Sequence, residues 1–170
     1  IQAVRAENPD AYIIYKPHPE IVSGNRKGKV KTELLERCCD QVIYDATLAA
    51  CLDLSDEVHT LTSTVGFDAL LRGKSVVTYG IPFYAGWGLT KDRHSIERRD
   101  RELSLEELVV GCLIRYPRYI NWNSGHFTTA NYTVKSLARA TARGGAPSIT
   151  RSLPAKYLRK ARHLCSAVWH

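Results

Sequence analysis

Short runs of β-branched and aromatic residues alternate with helix-like segments through the first half of the chain, and this alternation constrains the fold most. Four such runs predict strands: AYIIY (11–15), QVIY (41–44), EVHTL (57–61) and SVVTY (75–79). The segments between them predict helices over 31–39, 47–54 and 64–71. Because strands that alternate with helices through short turns pair in parallel, we predict an α/β fold with a parallel sheet flanked by helices.

The pattern changes after the fourth strand. A long aromatic loop, IPFYAGWGLTKDRH (81–94), precedes an amphipathic helix that begins with a capping box formed by Ser104 and Glu107. A last helix is predicted over 131–143, and two glycines follow it. The predicted domains are therefore 1–143, a globular unit with C-terminal helices, and 144–170, a flexible basic tail.

Charge is distributed unevenly along the chain. Residues 1–107 hold 14 Lys and Arg against 17 Asp and Glu, a net charge of −3, whereas residues 108–170 hold ten Lys and Arg and no carboxylate. A basic end of this kind is typical of contact with an anionic membrane surface or a nucleic acid, and a solvated tail is the alternative. Few aromatic side chains follow Trp122 to stack on bases, which makes nucleic acid the weaker partner.

The five cysteines, at positions 38, 39, 51, 112 and 165, contain no C-x-x-C pair and no zinc-site spacing. We therefore expect no metal site and reduced thiols, with Cys51 and Cys112 buried in a cytoplasmic protein. No apolar run approaches the ~20 residues that cross a bilayer, and no signal peptide is visible. The expected protein is soluble or peripheral to the membrane.

His18 directly follows the first predicted strand, at the edge where open parallel sheets bind ligands. Prolines on both sides fix its backbone, and Lys16 lies two residues earlier. An imidazole that donates a hydrogen bond beside an ammonium group predicts a phosphate contact. A structural loop histidine is the alternative.

Ser63 and Thr64 lie between the third predicted strand and the helix that follows it. Hydroxyls and unpaired backbone N–H groups meet the positive end of a helix there, which predicts a second anion contact, with a plain N-cap as the alternative. Together with His18, the pair can converge on one phosphate. The chain lacks G-x-G-x-x-G and the Walker motif, which disfavours a dinucleotide dehydrogenase or a P-loop NTPase.

Glycines alternate with aromatic residues in FYAGWG (83–88), a composition that suits close backbone approach and stacking against a sugar or base. Tyr84 and Trp87 are the candidate contacts in this loop. A packed loop that closes over the core is an equal alternative.

Three segments carry a family resemblance: YKPHPE (15–20), SDEVHTLTSTVGFDALLRGKSVVTYGIPFYAGWGLT (55–90) and LSLEELVVGCLIRYPRYIN (103–121). They resemble the capsule polysaccharide export and biosynthesis family of the KpsC/LipB type, whose members are retaining β-Kdo transferases that use CMP-Kdo. The resemblance implies a GT-B glycosyltransferase with two Rossmann-like domains, of which this chain is the nucleotide-binding half.

The resemblance also implies roles for individual residues. His18 matches the histidine that contacts the CMP phosphate, and Ser63 with Thr64 matches the hydroxyl pair that binds it. The aromatic loop then becomes a wall of the donor or acceptor site. Glu57 is a candidate acceptor for the ribose hydroxyls, with an ordinary surface carboxylate as the alternative. No metal or other cofactor is expected, because fixed donors can stabilise the charge on the departing CMP.

The implied reaction adds β-Kdo to a lipid-linked glycan acceptor in capsule assembly, at the cytoplasmic face of the inner membrane. In this family the acidic catalytic group comes from the amino-terminal GT-B domain, which we expect upstream of residue 1. We therefore expect these 170 residues to be inactive alone. The alternatives are a non-catalytic nucleotide- or polysaccharide-binding module and a basic nucleic-acid-binding protein.

Overall fold

The computed structural model describes residues 1–25, 27–121 and 124–142. The chain divides into two compact units, Ile1–Val109 and Val110–His170. The predicted tail, 144–170, lies outside the described residues, so the boundary at residue 143 stays a prediction.

The first unit alternates helices and strands as predicted. Its helices are α1 (Gln2–Glu7), α2 (Pro19–Val22), α3 (Thr32–Cys38), α4 (Leu48–Leu54), α5 (Val65–Leu70) and α6 (Leu105–Val109). Its strands are β1 (Ile14–Tyr15), β2 (Gln41–Val42), β3 (Glu57–Thr60), β4 (Ser75–Thr78) and β5 (Lys91–Asp92). All four predicted strands are present, as are the three helices predicted between them and the helix predicted after Ser104. The sequence patterns did not predict α2 or β5.

All strand pairs in this unit are parallel, which confirms the α/β prediction. β1 pairs with β2, and β4 lies between β3 and β5. Among the described residues the four predicted strands thus divide between two sheets. β1 is shorter than its apolar run because the N–H of Ile13 donates to the Asp40 carboxylate at 2.7 Å and takes no part in the strand ladder.

The core of this unit lies between α5 and the central strand β4. Six of its buried side chains come from these two elements: Phe67, Ala69, Leu70, Val76, Val77 and Thr78. Gly73 has a φ of +69° and follows α5, as expected for a helix that ends at a left-handed residue. This packing fixes the turns on either side of α5, which include Ser63 and Thr64.

The capping box at the start of α6 is confirmed. The N–H of Glu107 donates to Ser104 Oγ at 3.2 Å, and the N–H of Ser104 donates to the Glu107 carboxylate at 2.8 Å. The amphipathic helix that begins after Ser104 was expected to end at Tyr116 and Pro117, but after α6 the backbone widens into a π-helical segment, Val110–Arg115. The N–H of Tyr116 donates to the carbonyl of Gly111 at 3.0 Å, and Pro117 then prevents further helix.

The rest of the second unit is a small hairpin followed by the predicted last helix. β6 (Tyr119–Ile120) pairs antiparallel with β7 (Phe127–Thr128), and α7 spans Ala130–Ala142. No helix in the described part of the chain is long and apolar enough to cross a membrane.

The prediction that Cys51 and Cys112 are buried is wrong. Both residues are partly exposed, whereas Cys38 is buried, with 5% of its surface exposed. In α4 the buried residue is Leu52, so the neighbouring Cys51 lies on a more exposed side of that short helix.

Candidate functional site

His18 occupies the N-cap of α2, just beyond the carboxyl end of β1. Its Nδ1 accepts the N–H of Glu20 at 3.2 Å, and Pro19 supplies the first helical residue. Because Nδ1 is an acceptor here, the neutral ring carries its proton on Nε2. The side chain is 49% exposed. His18 therefore offers a hydrogen-bond donor to solvent at the predicted edge, while its other ring nitrogen holds the turn.

Lys16 joins the ends of two neighbouring strands. Its Nζ donates to the carbonyls of Ile43 at 3.4 Å and Tyr44 at 3.1 Å, just beyond β2. An ammonium group has three hydrogens, so one remains for a ligand. These contacts also place Asp45, an exposed carboxylate that sequence analysis did not single out, next in the chain at the same edge.

Ser63 and Thr64 form the turn between β3 and α5, and both are exposed. Ser63 Oγ accepts the N–H of Val65 at 3.3 Å, so this hydroxyl has the local capping role. Thr64 is the N-cap residue, and its side chain makes no capping hydrogen bond. The turn therefore offers two exposed hydroxyls at the carboxyl end of a parallel strand, as predicted for this position.

Tyr84 lies behind that turn. It is fully buried, and its hydroxyl donates to the backbone carbonyl of Ser63 at 2.5 Å. Burial raises the pKa of Tyr84 to about 12, so the phenol remains a donor at physiological pH. Because none of its side chain reaches solvent, Tyr84 fits the packed-loop alternative and not a wall that contacts a ligand directly.

Trp87 is partly exposed, yet much of its polar and π surface is used within the protein. Its indole N–H donates to the carbonyl of Phe83 at 2.8 Å, and the Arg99 guanidinium lies 5.2 Å from the ring centroid. The indole N–H is therefore used within the loop, as the packed-loop alternative predicts, and does not remain free for a ligand. The exposed part of the ring is what a ligand can reach.

Glu57 lies at the amino end of β3, the opposite end of the strand from Ser63. Its carboxylate accepts hydrogen bonds from Ser75 Oγ at 2.7 Å and Lys91 Nζ at 2.6 Å, and it lies 3.0 Å from His59 Nε2. The bonds from Lys91 and Ser75 hold its pKa below the ordinary glutamate value. The structure therefore does not bring Glu57 to the edge that carries the other candidates.

Asp92 organises the aromatic loop, and sequence analysis missed it. Its carboxylate accepts hydrogen bonds from the hydroxyls of Thr78 and Thr90 and from the N–H of Gly86, each at 2.7 Å. The available signal was a lone carboxylate among the glycines and threonines of a loop, where such groups accept turn N–H bonds. Arg99 adds a second brace by donating to the carbonyls of Pro82 and Ala85.

His18 and the Ser63–Thr64 turn each follow a parallel strand at its carboxyl end, but they belong to different sheets. No hydrogen bond joins them within the described residues. The described residues also contain no group of three or more His, Cys, Asp or Glu that could hold a metal ion.

Comparison with known proteins agrees with this architecture. Residues 1–119 match the model of the family described as "Capsule polysaccharide biosynthesis protein". The chain is 50% identical over 139 residues to the capsule polysaccharide modification protein LipA of Neisseria meningitidis serogroup B. The matched region covers 82% of this chain and 20% of LipA. It is 38% identical over 159 residues to the lipopolysaccharide-processing protein LpsZ of Rhizobium meliloti, covering 92% of this chain and 36% of LpsZ.

Two solved structures are similar as well, both of KpsC from Thermosulfurimonas dismutans. The β-Kdo 2,7 transferase superposes with a TM-score of 0.72 at 41% identity, over 82% of this chain and 45% of that one. The β-Kdo 2,4 transferase superposes with a TM-score of 0.69 at 36% identity, over 79% of this chain and 42% of that one. This chain thus spans a fifth to less than half the length of these relatives. The chain belongs to the capsule polysaccharide biosynthesis family, and its fold is that of part of a GT-B Kdo transferase of the KpsC type.

Proposed function

We propose that this chain is the donor-nucleotide-binding half of a glycosyltransferase that transfers β-Kdo from CMP-Kdo during capsular polysaccharide assembly. The observation that carries the proposal is the 41% identity and TM-score of 0.72 to a named β-Kdo transferase. The exposed His18 and Ser63–Thr64 groups, each beyond a parallel strand, support it, because ligands of open α/β sheets bind at that edge.

In this proposal the donor phosphate is held by neutral hydrogen-bond donors. His18 donates from Nε2, and Ser63 and Thr64 donate from their hydroxyls. As the bond from the sugar to CMP breaks, negative charge collects on the phosphate, and donors already aimed there stabilise it without reorganising. Lys16 adds positive charge beside His18, at the end of β1. The acidic catalytic group lies outside these residues, and no metal takes part.

The proposed acceptor is a lipid-linked glycan at an anionic leaflet, and the basic segment 108–170 is the proposed membrane contact. A Lys or Arg near such a surface contributes roughly 1 kcal/mol, and the attraction decays within a Debye length. We expect salt-sensitive sedimentation with anionic vesicles and none with neutral ones. Removal of residues 146–170 should abolish it and leave CMP affinity unchanged. Equal sedimentation of the truncated and full chains would contradict this part of the proposal.

Equilibrium titration tests the nucleotide preference. We expect CMP to bind more tightly than UMP or ADP, and single-stranded DNA to bind weakly. The CMP affinity should be the same in EDTA as in magnesium. Stronger binding of DNA would favour the nucleic-acid alternative, and loss of CMP binding in EDTA would contradict the metal-free site. CMP binding without Kdo transfer by the full-length parent would indicate a non-catalytic module.

A further inference from the structure

The contact between Tyr84 and Ser63 has consequences for the backbone around it. The Ser63 carbonyl accepts the Tyr84 hydroxyl at 2.5 Å and also the N–H of Gly66 at 3.3 Å. Both donors lie on the protein side of the turn, since Tyr84 and Gly66 are buried while Ser63 and Thr64 are exposed. The carbonyl is therefore held toward the interior.

A trans peptide is planar, and its C=O and N–H point in opposite directions. All described peptide bonds are trans. When the Ser63 carbonyl is held inward, the N–H of Thr64, in the same peptide plane, points away from Tyr84. Within the described residues this N–H donates to no protein acceptor. The turn thus presents a backbone donor beside its two hydroxyls.

Tyr84 itself is held in place by the loop around it. Asp92 takes the N–H of Gly86 at 2.7 Å, and Arg99 donates to the carbonyls of Pro82 and Ala85, on either side of Tyr84. The Phe83 ring packs edge-on against Tyr84, with centroids 5.2 Å apart. A phenol held this firmly fixes the position of the carbonyl it binds.

We propose that Tyr84 is a positioning residue for the donor phosphate, because its hydroxyl fixes the 63–64 peptide so that the Thr64 N–H and the two hydroxyls face the ligand together. Tyr84 touches no ligand in this account. The inference rests on the proposed function, since it assigns the phosphate of CMP to this turn.

Tyr84→Phe tests the inference, because it removes one buried oxygen and keeps the ring. Tyr79→Phe is the matched control, because its hydroxyl is paired with His59 Nδ1 at 3.1 Å and makes no hydrogen bond to the turn. We expect Tyr84→Phe to weaken CMP binding about five- to tenfold, the scale of one hydrogen bond. Cytidine, which lacks the phosphate, should bind as before, and Tyr79→Phe should change neither affinity.

A double-mutant cycle separates positioning from general destabilisation. In a Ser63→Ala/Thr64→Ala background, Tyr84→Phe should have a smaller effect on CMP affinity, because the two hydroxyls that it positions are gone and only the backbone N–H of residue 64 remains. An equal loss for cytidine and CMP, an additive effect in that background, or an unchanged CMP affinity in Tyr84→Phe would each overturn the inference.

If the wild-type chain binds no CMP, the proposed function fails, and inorganic phosphate then decides the role of Tyr84. The amide resonance of Thr64 should shift on addition of phosphate in the wild type and in Tyr79→Phe, but not in Tyr84→Phe. The same response in all three proteins, or no shift in any of them, would overturn the inference independently of CMP.

Discussion

The Tyr84 hydroxyl reaches the Ser63 carbonyl, 2.5 Å away, across space that exists because residue 66 is glycine. A Cβ at that position would lie 2.3 Å from the Tyr84 oxygen and 2.6 Å from Cζ. Tyr84, from the aromatic loop, thus packs its phenol against Ser63 and Gly66 at the first turn of α5.

Gly66→Ala should destabilise the protein, because the added methyl group overlaps a buried ring that has no space to move. We expect a loss of about 1–3 kcal/mol in the free energy of unfolding, the usual cost of overpacking a core. Denaturant titration measures it. Gly111→Ala is the control, since its Cβ would meet nothing within 4 Å. Equal stability of the two variants would contradict the close fit.

Asp92→Ala should also destabilise the protein. The substitution leaves the fully buried Thr78 hydroxyl without its carboxylate acceptor and frees the Gly86 N–H. We expect a loss of about 2–4 kcal/mol, since a hydrogen bond to a charged group contributes about 1.5–3 kcal/mol. Asp100→Ala, at an exposed carboxylate, should be near neutral. If the two variants melt together, Asp92 does not organise the loop.

The helices and strands were easier to predict from the sequence than the contacts of the aromatic loop, residues 81–94. The spacing of apolar residues and the turn residues between them located β3, α5 and β4, because these elements bury apolar side chains against each other. The capping box of Ser104 and Glu107 was predictable because all its partners lie within four residues. The family resemblance was confirmed on the segments that suggested it.

Contacts that are distant in sequence could not be predicted this way. Nothing near Asp92 in the sequence indicates that its carboxylate meets Thr78, 14 residues earlier. Nor does the FYAGWG pattern distinguish the buried Tyr84 from the partly exposed Trp87. Glu57 was assigned by its place near a strand, but only the observed register shows its side chain occupied by Ser75 and Lys91.

The two ring nitrogens of His18 can be tested separately. Asparagine has an oxygen that can accept the Glu20 N–H in place of Nδ1, but it has no group at the position of Nε2. We expect His18→Asn to melt like the wild type and to bind CMP more weakly by about 1.5–3 kcal/mol, as for a hydrogen bond to a charged group. Calorimetry measures the affinity. Unchanged affinity in both His18→Asn and His18→Ala would remove this histidine from the site.

His59 should make stability depend on pH. Its side chain faces Glu57, the Tyr79 hydroxyl, Glu7 and Arg93, and burial lowers its pKa although Glu57 opposes the shift. A histidine with a lowered pKa in the folded state favours unfolding when it is protonated. Its contribution is therefore complete above the ordinary value of about 6.5 and is lost as the pH falls toward the lower folded value.

His59→Gln should accordingly show a smaller fall in melting temperature than the wild type when the pH is lowered from about 7.5 to about 5.5, the range around the ordinary histidine pKa. His94→Gln, at an exposed histidine, should retain the full pH dependence. Identical pH profiles for the wild type and His59→Gln would contradict this assignment.

The central claim is that His18 and the Ser63–Thr64 turn hold one phosphate of a cytidine nucleotide. A crystal structure of the chain with CMP tests it most directly. We predict phosphate oxygens within about 3 Å of His18 Nε2 and of at least one of the Ser63 and Thr64 hydroxyls, the ordinary hydrogen-bond range. A CMP phosphate bound away from either group, or CMP bound through its base alone at this edge, would contradict the account.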